Sequence, residues 1–282
     1  MAPVAVFKAV ELPTGLGPGD HICWGFDGDR AFADAATAFL REGVERGDQL
    51  MYVRPKPFAD LASDLDGLPG RDRLIDRGQL VLQSLDQLYA VDEVHHETQA
   101  EQFRAKAEDA IGNGYAGLRA ASDLTQIALD AARWSELRAF ELRADAVIGQ
   151  TPITGMCGYD ETRVHPDRLG ALSAVHPLRH RRGAPGTFAV NVVGQVVSVS
   201  GEVDLSCVDD LAAVLVAVED LTDGPVMVDL HRLEFVDVGG VRVLARFVAD
   251  LGGAGRTVQF RGSRRNAQRL LRFFDLDGRQ AT

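Results

Sequence analysis

The chain has 282 residues and a formal net charge of −11, with 30 Lys and Arg against 41 Asp and Glu. An acidic chain is poorly suited to bind nucleic acid through its phosphates, because such contacts need a surplus of Lys and Arg. We expect neither a membrane span nor a signal peptide, since no apolar run reaches about 18 residues and the start lacks the required pattern. Three widely spaced cysteines indicate a reducing cytoplasm rather than a disulfide framework.

The first part of the chain alternates strand patterns with helix patterns. The predicted strands are His21–Phe26, Gln49–Val53, Leu80–Leu82, Gly117–Ser122 and Ile153–Tyr159. The predicted helices are Phe32–Val44, Glu101–Ile111 and Trp134–Ile148. Strands that alternate with helices predict an α/β fold with a parallel sheet covered by helices. Ligands of such sheets bind at the carboxyl ends of the strands.

A charged segment rich in Gly and Pro, residues 181–186, predicts a linker. It separates a first domain, residues 1–180, from a second domain, residues 187–282. The second domain begins with two strand patterns that resemble a hairpin. A strand then leads into a short loop at Asp229–Val238, and a helix is predicted to start at Gly239. The full predicted order is β-β-α-β-α-β-α.

Three stretches of the second domain resemble the STAS family, the fold of anti-sigma-factor antagonists. They are Gly201–Leu205, Asp229–Leu244 and Asn266–Gly278, and the resemblance covers residues 187–279. In that family the loop reads Asp-Ser-x-Gly, and the partner anti-sigma kinase phosphorylates the serine. Val238 stands at the serine position, so we expect partner docking without phosphorylation there.

The resemblance implies a protein partner, either an anti-sigma factor with a kinase-like ATP-binding fold or another signalling protein. The predicted partner-binding residues lie in the loop and in the segment after the second strand. They are Asp204, Asp237, Val238, Gly239, Gly240 and Val241.

Several segments of the first domain resemble the MEDS domain, a sensory domain named for methanogen and methylotroph regulators. These segments are His21–Phe26, Gly114–Arg119, Phe140-Glu141, Cys157–Asp160 and His176-Pro177, within about residues 15–180. The resemblance implies that the domain senses a small molecule, in the family's case one proposed to derive from hydrocarbons. The predicted pocket residues are His21, Cys23, Arg119, Glu141, Cys157, Tyr159 and His176. Arg119 and Glu141 are either a buried pair that shapes the pocket or a surface pair.

The cysteines and histidines of this set also suggest a metal site. His21 and Cys23 are two residues apart on a strand, so their side chains share a face. With Cys157 and His176 beside them, two His and two Cys could bind zinc or another transition metal. No Cys-x-x-Cys pair is present, and the same residues fit a core or pocket lining. A third interpretation makes Cys157 a reactive thiol, so the cofactor stays open between a metal and a small organic ligand.

The layout of the first domain also looks like a RecA-type ATPase. In those enzymes the loop after the first strand carries a lysine and a Ser or Thr that hold phosphate and metal. The corresponding loop here, Gly25–Arg30, has neither, and two of its residues are aspartates. ATP hydrolysis is therefore not expected.

Taken together, the patterns predict a cytoplasmic signalling regulator without enzymatic activity. The first domain senses a small ligand or a redox state, and the second passes that state on by protein contact. Two alternatives are a metal- or thiol-dependent enzyme in the first-domain pocket and a scaffold that senses nothing. No Ser/His/Asp order and no His-Glu-x-x-His motif supports an enzyme. The sequence leaves open whether the chain forms a homodimer.

Overall fold

The computed structural model describes residues 7–85, 96–181 and 186–276, which form two compact units. The seven-stranded unit comprises the described residues 9–166 and 178–181. The five-stranded unit comprises residues 7–8, 167–177 and 186–276. Residues 182–185 of the predicted linker lie outside the described residues. The predicted end of the first domain at residue 180 stays a prediction, since the structure groups residues 167–177 with the five-stranded unit.

The seven-stranded unit is a sheet covered by helices. Its strands are β1 Lys8–Ala9, β2 His21–Phe26, β3 Gln49–Arg54, β4 Leu80–Ser84, β5 Leu118–Asp123, β6 Ile153–Asp160 and β7 Leu178–His180, in the order β1-β7-β2-β6-β5-β3-β4. The pairings among β2 to β7 are parallel. Its helices are α1 Asp29–Arg46, α2 Phe58–Asp64, α3 Arg71–Asp76, α4 His96–Gly112, α5 Thr125–Leu129 and α6 Trp134–Ile148. The predicted parallel sheet is confirmed.

The central strands of this sheet are buried on both faces. Every residue of β2 and β6 is buried, as expected for parallel strands between two helical layers. A glycine is needed at position 158 of β6, because a Cβ there would collide with the ring of Phe32 in α1. Gly158 thus lets α1 lie directly against the sheet, on the face opposite the side chains of Cys157 and Tyr159.

The five-stranded unit has the predicted order with one additional strand. Its elements are α7 Pro166–Ala174, β8 Phe188–Val193, β9 Val196–Val203, α8 Val208–Leu221, β10 Val226–Asp229, β11 Leu233–Val236, α9 Val238–Gly253, β12 Val258–Arg261 and α10 Arg265–Phe273. Strand β9 pairs antiparallel with β8 and parallel with β10 and β11, and β12 pairs parallel with β10. The loop predicted before α9 is wrong at β11, whose buried Leu233 and Val236 pair with β9.

A helix that crosses a bilayer needs about 20 mostly apolar residues. Within residues 7–85, 96–181 and 186–276, no helix is both long enough and apolar enough to cross a membrane.

Candidate functional site

Five buried polar side chains of the seven-stranded unit converge on one face of its sheet. His21 comes from the start of β2, Cys157 and Tyr159 from β6, and Glu141 and Asp145 from α6. The two carboxylates are four residues apart, so they lie on the same face of the helix. We refer to these five residues as the His21 cluster.

The strand register brings the sheet residues of the cluster together. In the β2–β6 pairing, His21 lies beside Gly155 and Cys23 lies beside Cys157. Side chains alternate along a strand, so Cys157 and Tyr159 share the face of His21. A Cβ on Gly155 would lie 2.8 Å from Ile148 of α6 and 3.4 Å from the His21 ring. The glycine therefore makes room for both the imidazole and the helix.

Three donor atoms of the cluster form a triangle. His21 Nε2 lies 3.4 Å from Glu141 Oε2 and 3.4 Å from Cys157 Sγ. The Cys157 thiol in turn lies 3.4 Å from Glu141 Oε2. Outside the triangle, His21 Nδ1 lies 3.4 Å from Asp145 Oδ1, and the Tyr159 hydroxyl donates to Glu141 Oε1. Each triangle residue other than Cys157 thus has a further polar contact.

The electrostatics of the cluster follow from burial and from its carboxylates. Burial disfavours a charged imidazole, but hydrogen bonds and charge from Asp145 and Glu141 outweigh it and raise the pKa of His21 to about 9. Burial, together with the charge of Glu141, raises the pKa of Cys157 and of Tyr159 well above their usual values. At neutral pH the cluster therefore holds an imidazolium, a thiol and a phenol around two carboxyl groups.

An apolar pocket borders the cluster. It is partly open to solvent and lies between α4, α6 and the strands β2, β3, β5 and β6, with about 40 Å³ of room for the centre of a water-sized molecule. His21 and Cys157 form part of its wall. Gln99 of α4 also lines it, is only 9% exposed, and its Oε1 has no hydrogen-bond partner among the described residues. A buried acceptor without a partner costs about 1–3 kcal/mol, so a donor on a bound molecule would relieve it.

The structure brings together four of the predicted pocket residues, His21, Glu141, Cys157 and Tyr159. Cys23 is buried next to Cys157 but is not part of the group of close metal-type donors. Glu141, which the sequence predicts as a pocket residue and not as a metal ligand, takes the place of Cys23 among these donors. Burial raises the pKa of the Cys23 thiol to about 12, so it stays protonated at neutral pH.

Arg119 lies on the opposite face of the sheet, so the predicted pair of Arg119 with Glu141 is wrong. In the β5–β6 register Arg119 lies beside Thr154, which is out of phase with the cluster positions of β6. Its guanidinium lies 3.4 Å from the carboxylate of Asp48 and donates to the carbonyl oxygen of Leu16 at 2.7 Å. Arg119 therefore ties loops and α1 to the sheet rather than shaping the pocket.

His176 belongs to the five-stranded unit, just after α7. It is completely buried, and its Nδ1 donates to the carbonyl oxygen of Leu172 at 2.7 Å. The His21 cluster consists of residues of the seven-stranded unit, and the predicted contribution of His176 to a pocket or metal site stays a prediction.

A second group of charges lies at the carboxyl ends of the strands. Arg54, at the end of β3 and 1% exposed, lies 2.7 Å from Asp29, 2.7 Å from Asp64 and 3.2 Å from Asp123. Lys56 lies 2.7 Å from Asp29 and 3.1 Å from Asp64. We refer to these five residues as the Arg54 cluster. It fills the edge where parallel sheets usually bind ligands, including the loop compared above with a phosphate-binding loop.

The predicted partner loop of the five-stranded unit is well ordered by its own contacts. Asp237 caps α9, accepting a hydrogen bond from the Gly240 N–H at 2.8 Å. The helix begins at Val238, whose side chain is 44% exposed. Leu205 and Phe235, in the segments before α8 and before the cap, are also exposed apolar side chains. All three residues lie near the carboxyl ends of the paired strands β9 and β11, so this end of the unit carries exposed apolar side chains.

The other predicted partner residues differ in how accessible they are. Gly240 is buried, and a Cβ there would lie 2.7 Å from side chains of Val203 and Val236. Val241 is completely buried, so the prediction that it contacts a partner is wrong. Gly239 is half-buried. Asp204 is accessible, but it accepts hydrogen bonds from the Ser206 N–H at 2.9 Å and hydroxyl at 2.5 Å rather than capping α8.

Two protein-family models match this chain, one in each of its predicted domains. The sequence model described as MEDS, the MEthanogen/methylotroph, DcmR Sensory domain, matches residues 20–177. The chain belongs to the MEDS family. A second model, described as Mlab, STAS domain, matches residues 187–280. Both predicted resemblances are confirmed: the chain fuses a MEDS sensory domain to an anti-sigma-factor-antagonist-like STAS domain, the organisation of a signalling regulator.

Two solved structures are similar to parts of the chain. The anti-sigma factor antagonist SpoIIAA in its unphosphorylated form is 18% identical, with a TM-score of 0.30, over 33% of this chain and 85% of that one. The flagellar accessory protein FlaH from Methanocaldococcus jannaschii is 12% identical, with a TM-score of 0.39, over 65% of this chain and 76% of that one. A search of curated proteins found no match.

Proposed function

We propose that the MEDS domain binds a small, largely apolar molecule in the pocket beside the His21 cluster, and that the STAS domain passes the bound state to a protein partner in the cytoplasm. The observation that carries this proposal is Gln99, a buried acceptor without a described partner in a wall whose residues are mostly apolar. Met51, Phe103 and Ile148 offer apolar contact, and Gln99 offers one directional hydrogen bond. A molecule with a short hydrocarbon part and one donor group fits this wall.

Binding without turnover is the role that the thiols favour. Reactive cysteines need a thiolate, whereas burial raises the pKa of both Cys23 and Cys157. Redox sensing through a free thiolate is therefore a weaker explanation than ligand binding. Turnover of any compound in a metabolite panel, lost in His21→Ala, would show an enzyme instead.

The STAS domain is proposed to contact its partner protein through the exposed apolar side chains of Leu205, Phe235 and Val238. The proposed partner is an anti-sigma factor with a kinase-like ATP-binding fold. Exposed apolar side chains around a capped helix start provide a contact that excludes water. Val238 has no hydroxyl group, so phosphorylation at this position cannot regulate that contact.

Ligand binding is tested by comparing the native mass of the full-length chain with its denatured mass. If no species is retained, the melting temperature is followed with a panel of short-chain alcohols. We expect a retained species or a rise in melting temperature, lost in Gln99→Leu and in Ala144→Leu, which fills the pocket. Ala146→Leu, on the same helix but outside the lining, is the matched control and should behave as wild type. The proposal would be overturned if the wild type retained no bound species and its melting temperature did not rise with any compound of the panel.

Partner contact is tested with Val238→Asp in the full-length chain. We expect at least a tenfold loss of affinity for the anti-sigma factor, since a charge replaces an apolar contact; such a change corresponds to about 1.4 kcal/mol. Val193→Asp, at the end of β8, is an equally exposed control and should bind normally. Phosphate incorporated at the loop after incubation with the kinase and ATP would contradict the proposed lack of phosphorylation.

A further inference from the structure

We propose that His21, Glu141 and Cys157 hold a divalent transition-metal ion, with zinc as the best match. Their donor atoms Nε2, Oε2 and Sγ form a triangle with three sides of 3.4 Å. The centre of such a triangle lies about 2.0 Å from each corner, close to the zinc distances of about 2.0–2.1 Å for His, 2.0–2.2 Å for carboxylate and 2.3 Å for Cys. An ion slightly out of this plane therefore meets all three donors without backbone movement.

The surroundings of the triangle have the arrangement expected around a metal. Metal-bound histidines usually donate their other ring N–H to a carboxylate, and ligating carboxylates are themselves hydrogen-bonded. Here Asp145 lies beside His21 Nδ1, and the Tyr159 hydroxyl donates to the Glu141 oxygen outside the triangle. These contacts orient the ring and the carboxylate so that Nε2 and Oε2 point toward the Cys157 sulfur. Asp145 and Tyr159 are thus positioning residues.

Proton exchange balances the charge of this binding step. Metal ligands must be a thiolate and a neutral imidazole, so the ion displaces one proton from Cys157 Sγ and one from His21 Nε2. Two positive charges arrive and two protons leave, so the net charge of the buried cluster is unchanged. No oxidant or reductant is needed. The ion therefore enters a buried site without adding uncompensated charge.

The donor types indicate which ion binds. Thiolate and imidazole select zinc and other late transition metals, whereas magnesium and calcium prefer oxygen ligands. Three donors leave a fourth position for a further ligand in a tetrahedral site. His21 and Cys157 also line the pocket, so the ion would lie at the pocket wall. A sensing role for the ion rests on the proposed function, but its binding does not.

The test uses the full-length chain, stripped with a chelator, incubated with Zn²⁺ and freed of excess metal. We expect one zinc per chain by elemental analysis and by native mass. Cys157→Ser and Glu141→Gln should lose it, and Asp145→Asn should weaken binding about 10- to 100-fold. Cys23→Ser and Cys207→Ser are matched controls, since both thiols are buried outside the triangle, and they should keep the zinc.

Co²⁺ gives a second readout that unfolding cannot imitate. A thiolate-to-cobalt charge-transfer band should appear in wild type and in Cys23→Ser but not in Cys157→Ser, with circular dichroism showing that each variant is folded. Wild type that retains no zinc would overturn the proposal, as would folded Cys157→Ser and Glu141→Gln proteins that bind zinc as wild type does. If the chain binds zinc but no pocket ligand, the metal site is supported and the proposed sensing role is not. If it binds a pocket ligand but no zinc, the proposed sensing role is supported and the metal site is wrong.

Discussion

The Arg54 cluster and the His21 cluster of the MEDS domain differ in the distances between their polar groups. In the Arg54 cluster, the guanidinium contacts three carboxylates at 2.7–3.2 Å, within the range of direct hydrogen bonds. In the His21 cluster, the distance from His21 Nε2 to Glu141 Oε2 is 3.4 Å, longer than the usual range for N–H···O bonds. The Cys157 sulfur lies at the same distance from both atoms. The carboxyl ends of β3 and β5 therefore carry the chain's own ion pairs, whereas the sheet face beneath α6 holds three metal-type donor atoms at equal distances from one another.

Removing the central cation of the Arg54 cluster should have the largest effect on stability. Arg54→Ala leaves the buried Asp123 without this cation, and breaking a buried pair in this way costs about 3–5 kcal/mol. Urea unfolding of the full-length chain measures the loss. Arg30→Ala, which removes an exposed ion pair with Asp34, should leave the unfolding midpoint nearly unchanged. Equal midpoints for Arg54→Ala and wild type would show that the cluster is not a stabilising closure.

Removing a hydroxyl from the His21 cluster should have an intermediate effect. Tyr159→Phe removes one hydrogen bond to the buried Glu141 carboxylate, which costs about 1–3 kcal/mol in the metal-free protein. Tyr115→Phe is the control, because its hydroxyl makes only a 3.4 Å contact with the carbonyl oxygen of Arg77. Thermal unfolding of both variants after chelator treatment makes the comparison. A Tyr159→Phe protein as stable as the control would mean that Glu141 finds another partner.

The outer cation of the Arg54 cluster should matter little. Lys56→Met keeps most of the apolar length of the side chain and removes a partly exposed charge, so the expected loss is below about 1 kcal/mol. The same urea titration measures it beside Arg54→Ala. A loss as large as that of Arg54→Ala would shift the centre of the cluster to Lys56.

The smallest expected effect is that of ATP on the melting temperature of the chain. The Arg54 cluster occupies the strand ends with carboxylates already paired, and the loop at Gly25–Arg30 lacks a lysine. Adding ATP with Mg²⁺ should therefore leave the melting temperature unchanged. A rise that saturates with ATP concentration would show that the cluster opens to admit phosphate.

The long elements of the fold could be predicted because their periodicity extends over many residues. The short ones, β1, β7, β11, α2, α3, α5 and α7, could not, since a few residues do not define a period. The face of Arg119 was equally beyond prediction. Strand β5 is buried on both sides, so its sequence has no alternation to show which residues point toward the pocket.

The two carboxylates of α6 are a signal in the sequence that points to a buried polar site. Glu141 and Asp145 are four residues apart on a helix whose neighbouring residues on the same face, Leu137 and Ile148, are apolar and buried. Two acids on an apolar helix face need buried partners, and that pattern was a usable signal. The identity of those partners was not, because it depends on the β2–β6 register that places Cys157 near His21.

Helix α6 carries residues of the cluster and of the pocket side by side. Glu141 and Asp145 face the cluster, while Ala144 and Ile148 line the pocket. A molecule that displaces this helix must change both places at once. Linkage makes such influence mutual: whatever factor a pocket ligand imposes on metal affinity, the metal imposes on ligand affinity. The response of the domain would then depend on two concentrations, because the supply of metal would set the concentration at which the small molecule binds.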